Sequence, residues 1–174
     1  SGGLEAGFAL ILLAARSISS SDRFMSHKSA KIAVLIENQQ GKGWDAHYLG
    51  FFECFNQGLY YEAHDVLEEL WLPSRKGPND LFYKGLIQLA GAFVHFQKDR
   101  LRPAGALLIL ARDNLAKFPG NHEGLVLGAI SALIRVWLER LAKRDGNENP
   151  SGVFSAPQLD IPIEIESSTT GSIG

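Results

Sequence analysis

Apolar and polar positions alternate at helical spacing along most of the chain, and no run of alternating, β-branched strand sequence occurs before about the last 20 residues. The periodicity predicts helices over about 4–16, 27–39, 45–57, 60–72, 80–98, 101–117 and 122–144. The punctuation between them is consistent. Asp45 can cap a start, Gly58 sits at a stop, Leu72-Pro73 ends a helix, and Asn79 or Asp80 opens the next. "FPGN" at 118–121 separates the last two helices, and Lys143-Arg144 before Gly146 suits a helix C-terminus. Two helix pairs share one grammar: "FNQGLYYEAHDVLEEL" and "FQKDRLRPAGALLILA" each cross a tight turn, with Glu62-Ala63 matching Pro103-Ala104 and Leu67 matching Leu108. The expected fold is all-α, a compact bundle of about six or seven helices built around two antiparallel helical hairpins. Residues 1–24 read as a helical N-terminal extension, 25–144 as a single helical domain and 145–174 as a tail. Within the tail, "LDIPIEIE" could lie extended against the bundle.

Composition narrows the class. At 174 residues, with 45% hydrophobic and 21% charged residues, the chain can bury one core and is too apolar to be disordered. A formal net charge of -2 supplies no basic field for phosphate backbones, so no nucleic-acid partner is expected. Cys54 is the single cysteine, which leaves no intrachain disulfide or zinc-ribbon spacing and suits a reducing compartment. Set among Phe51, Phe52 and Phe55, it reads as a small buried thiol. The apolar run "GFALILLAA" follows Glu5 and precedes Arg16, a charge order opposite to that of an export signal, and it falls short of the roughly 20 residues a membrane span needs. The expectation is a cytoplasmic protein with no membrane association.

The candidate chemistry lies in "YYEAHDVLEELW", residues 60–71. On a helical wheel with about 100° per residue, Tyr60, Ala63, Val66, Leu67, Leu70 and Trp71 fill an apolar arc, while Glu62, Asp65 and Glu69 point the opposite way. His64 and Glu68 fall at the seam. A histidine one turn before a carboxylate can donate a ring N–H to it, which fixes the tautomer and raises the ring's basicity, an arrangement suited to a general base or a metal ligand.

The segment 80–98 is apolar over most of its circumference, yet Lys84, Gln88, Gly91 and His95 share an arc of about 60°. This stripe is either the helix's solvent window or one wall of a polar cleft shared with His64 and Glu68. Gly85 and Gly91 each cost about 1 kcal/mol against Ala in a helix, which close approach by a neighbouring helix or a ligand would explain. Trp71, Tyr60, Phe93 and Phe96 could wall the cleft or fill the core; Trp137 and Phe154 are assigned to packing. Arg75-Lys76 could meet an anionic ligand or form a solvated loop. Gly124, Gly128 and Ser131 align as a close helix contact, within the domain or across a dimer.

Together "FNQGLYYEAHDVLEELWL", "GLIQLAGAFVHF" and "ARDNLAKF" closely resemble the family called Domain of Unknown Function 309, over about residues 45–118. The resemblance implies a small all-helical protein and singles out His64, Glu68, Trp71, Gln88 and His95; it supplies no reaction. Three functions fit. The first is a non-catalytic module binding a small molecule or peptide in a polar and aromatic cleft between helices 60–72 and 80–98, with His64, Glu68, Trp71, Lys84, Gln88 and His95 as ligand-binding residues. The second is a metal-assisted or general acid/base hydrolase using His64, Glu68 and His95, in which His64 and His95 would ligate a divalent metal and Glu68 would ligate it or activate water, with His64 and Glu68 as catalytic candidates. In the third, His64, Glu68, Trp71 and Gln88 form a buried brace. The binding module needs the least chemistry and leads.

Overall fold

The computed structural model describes residues 20–145, and side chains from 27 to 144. The predicted helix at 4–16, the "LDIPIEIE" patch and Phe154 lie outside these residues. The chain divides into two units, 1–35 and 36–174. In the first, the described residues form one helix, α1 (Ser20–Leu35).

The second unit carries α2 (Ala46–Asn56), α3 (Tyr60–Trp71), α4 (Asp80–Gln97), α5 (Leu101–Leu115) and α6 (Leu127–Asp145), with short 3-10 turns at Glu37–Gln39 and Leu72–Ser74. Helices consecutive in sequence pack on one another, so the bundle is a folded ribbon of antiparallel neighbours, and the all-α expectation holds. Among the described residues no helix is long and apolar enough to cross a membrane.

The two expected hairpins are α2–α3 and α4–α5, and their turns are built alike. After α2, Gly58 adopts φ 75°, its N–H bonds Phe55 O at 3.0 Å, and the Leu59 N–H reaches back to Cys54 O at 2.9 Å. After α4, Asp99 adopts φ 52°, its N–H bonds Phe96 O at 3.0 Å, and the Arg100 N–H reaches His95 O at 2.9 Å. Both are Schellman ends, in which one left-handed residue satisfies the last helical carbonyls and reverses the chain. The N-terminus of α2 is capped as the sequence suggests, with Asp45 Oδ1 accepting from the His47 N–H at 2.8 Å.

Phe51, Phe55, Phe82, Phe93 and Phe96 are fully buried and form the centre. The Phe93 ring lies 5.4 Å from Phe55, 5.1 Å from Tyr60 and 5.6 Å from Trp137, and so joins α2, α3, α4 and α6 in one aromatic cluster. Tyr60, Phe93 and Phe96 are therefore core residues, and Cys54, next to Phe55 in sequence, is a buried thiol.

One boundary differs from the sequence reading. The last helix begins at Leu127, not near 122; residues 121–126 form a hairpin of β1 (Asn121–His122) and β2 (Leu125–Val126), paired Asn121↔Val126 and His122↔Leu125. Glu123 at φ 49° and Gly124 at φ 70° make its two-residue turn, a left-handed pair that no helix start can contain. Gly124 is thus a turn residue. Gly128 and Ser131 are exposed, and a Cβ at Gly128 would meet nothing within 4 Å, so the line of small residues makes no close contact among the described residues.

Candidate functional site

Ala63, Val66 and Leu67 are completely buried and fix the roll of α3. That roll leaves His64, Asp65, Glu68 and Glu69 half-buried along one edge. The His64 imidazole and the Asp65 and Glu68 carboxylates each offer a donor atom, and these atoms lie within 4.8 Å of one another. Ligands about 2.1 Å from one ion can be at most about 4.2 Å apart, so a small rotation of these half-buried side chains would close the three on a divalent cation. An imidazole with two carboxylates is a borderline donor set suited to zinc, manganese or iron.

The partner of His64 differs from the sequence expectation. His64 Nδ1 lies 3.1 Å from Asp65 Oδ1, the neighbouring residue, instead of being held by Glu68 one turn on. Asp65, assigned by the wheel to the solvent face, is only 16% exposed and forms part of the cluster. Its carboxylate turns around the helix toward the histidine, a reach that a wheel drawn from Cα positions does not show.

Beside this group, Glu69 Oε2 stands 3.4 Å from Nε2 of His47 on α2, and His47 Nδ1 stands 3.1 Å from Asp45 Oδ1. His47 carried no signal in the sequence because its partners come from a different helix and from a cap.

The other singled-out residues lie elsewhere. Trp71 Nε1 donates to Asp80 Oδ1 at 2.7 Å, and Asp80 Oδ2 accepts from the Lys76 N–H at 2.9 Å, a clasp that closes the loop between α3 and α4. These two donors, the Lys76 N–H first, hold the Asp80 carboxyl below its ordinary range. Arg75 stacks over the Trp71 ring at 4.8 Å, and Lys84 is exposed on the first turns of α4. Gln88 Oε1 accepts from Asn114 Nδ2 on α5 at 2.8 Å. A Cβ at Gly85 would meet Leu115 at 2.8 Å, and one at Gly91 would meet Leu107 at 3.3 Å. The polar stripe of α4 thus runs along α5, and helix approach explains both glycines. His95, at the end of that stripe, has a buried Nδ1 without a hydrogen-bond partner, and burial, then Arg100 and Lys98, hold its pKa below the ordinary histidine value.

A second polar group fastens the β-hairpin. Asn79 Nδ2 donates to Glu123 Oε1 at 2.9 Å, its Oδ1 accepts from His122 Nε2 at 2.7 Å, and Tyr48 Oη donates to the Glu123 carbonyl at 2.8 Å. Burial first, and the Glu123 charge second, push the Tyr48 hydroxyl pKa well up, so it remains a donor.

No solved structure matches the chain. An uncharacterized protein of Aquifex aeolicus (strain VF5) is 31% identical over 113 residues, which make up 65% of this chain and 31% of the relative, so the chain spans under a third of that protein's length. The family model described as Domain of unknown function (DUF309) matches residues 48–107, a stretch that runs from α2 into α5 and contains His64, Glu68, Trp71, Gln88 and His95. Over that segment the chain resembles the DUF309 family.

Proposed function

We propose that this domain is a non-catalytic helical binding module whose site is the half-buried edge of α3, where His64, Asp65 and Glu68 hold a divalent cation that in turn takes an oxygen-bearing small molecule or peptide. The observation that carries the reading is the convergence of one imidazole and two carboxylates within 4.8 Å on a helix whose opposite face is locked into the core. Three protein ligands leave a four-coordinate ion one open position, and that position is where a partner's carboxylate, phosphate or carbonyl oxygen would bind. Accessibility supports this: the His64 side chain is 33% exposed. The ion sits on the α3 edge and not between α3 and α4, since the polar stripe of α4 is engaged with α5. The buried, lone Cys54 fits a reducing compartment, and the reading places the domain in the cytoplasm.

The test is metal analysis of protein purified without an affinity tag or chelator, alongside His64→Ala and Glu68→Gln. The expected result is a stoichiometric ion in the wild type that both variants lose. Added ion at about 100 times its Kd should stabilise the wild type by about 2.7 kcal/mol and leave the variants unmoved. Metal-free wild type whose melting temperature ignores zinc, manganese and magnesium would refute the reading. Loss of stability in metal-free His64→Ala would then point to a brace.

A further inference from the structure

We infer that a second divalent-cation position lies between α2 and α3, with His47 Nε2 and Glu69 Oε2 as its protein ligands and Asp45 as the group that orients the histidine. Three features of the geometry carry this. His47 Nε2 and Glu69 Oε2 are 3.4 Å apart, beyond the usual hydrogen-bond distance, whereas two donors about 2.1 Å from one tetrahedral ion stand about 3.4 Å from each other. The far ring nitrogen, Nδ1, is 3.1 Å from Asp45 Oδ1, which is the carboxylate–histidine–metal arrangement that fixes the tautomer and turns Nε2 to the ion. Asp45 is itself immobilised, because the same Oδ1 accepts the His47 N–H at 2.8 Å as the cap of α2. The ring is thus aimed before any ion arrives.

The position is open to solvent, since the His47 and Glu69 side chains are 28% and 25% exposed. Water completes the coordination. This position does not depend on the α3 cluster for its two direct ligands, and either can fail without the other.

The protein stripped with chelator is titrated with Zn2+ by equilibrium dialysis, and with Co2+ by its visible absorption, for the wild type, His47→Ala, Glu69→Gln, Asp45→Asn and Glu68→Gln. Asn caps a helix about as well as Asp, so Asp45→Asn keeps α2 intact while loosening the grip on the ring. Two equivalents in the wild type, one in His47→Ala and Glu69→Gln, and a second equivalent weakened roughly 10–100-fold in Asp45→Asn are expected. A single equivalent lost in His47→Ala and Glu69→Gln but retained in Glu68→Gln also supports this position, and removes the α3 cluster reading instead. A single equivalent that His47→Ala and Glu69→Gln both keep overturns the inference and leaves the cluster standing. No bound metal in the wild type overturns both. Circular dichroism confirms folding, and if His47→Ala unfolds, Glu69→Gln and Asp45→Asn still decide.

Discussion

Two glycines in one helix illustrate how a single atom decides a substitution. At Gly85 an added methyl would meet Leu115 Cγ at 2.8 Å and Cδ2 at 3.0 Å, with the Ala111 carbonyl at 3.4 Å. Leu115 is buried and cannot step aside, so Gly85→Ala should overpack the α4–α5 contact at a cost of about 1–3 kcal/mol, only partly offset by the gain of about 1 kcal/mol in helix propensity. At Gly91 the sole neighbour is a terminal methyl, Leu107 Cδ1, at 3.3 Å, which a small rotation moves. Gly91→Ala should be neutral or raise stability by up to about 1 kcal/mol. Urea melts of the two variants check this, and equal effects would contradict the packing. The sequence revealed that these glycines need a reason but not which helix supplies it, because a wheel gives the bearing of a residue and not its neighbour. The same limit explains the site. His64 and Glu68 were legible from their spacing of four, whereas Asp65 was placed on the far arc because its reach back to His64 depends on a side-chain rotamer.

At the scale of elements, the internal similarity between the two hairpins has a physical origin in their shared turn. Gly58 and Asp99 occupy the same left-handed position, and only one of them is suited to it. A residue with a Cβ pays roughly 1–2 kcal/mol in that region. Asp99→Gly should therefore stabilise the protein by about 0.5–1 kcal/mol, and Gly58→Ala should destabilise it by about 1–2 kcal/mol. Chemical denaturation at neutral pH reads both, and opposite signs are the signature. The hairpins could be read from sequence because Gly58 and the small residues Ala63 and Ala104 punctuate them at matching places. The β-hairpin at 121–126 could not, since "NHEG" before an apolar run also spells a helix start. What decides against the helix is tertiary: Asn79, from the start of α4, holds both His122 and Glu123, and Tyr48 from α2 holds the turn carbonyl.

For the molecule as a whole, protons enter the balance of stability through His95. Its Nδ1 is enclosed near the C-terminal end of α4, where burial, and then the charges of Arg100 and Lys98, disfavour the imidazolium. The folded value is thus depressed below the unfolded value of 6.5. As pH falls through 6.5 the unfolded chain takes up a proton that the folded chain refuses, so stability is fully present above that pH and is lost as pH falls toward and through the folded value. Replacing the titrating ring by a neutral amide, His95→Gln, removes this linkage whatever it does to stability at pH 7.5. Melting temperatures measured at pH 7.5, 6.5 and 5.5 should fall more steeply for the wild type than for the variant. Parallel slopes would mean that the buried nitrogen finds an acceptor on protonation and that the fold relaxes around it. The proposed metal positions on α2 and α3 involve other histidines, His47 and His64, so the comparison is made on chelated protein, where the difference between the two slopes reports the His95 proton.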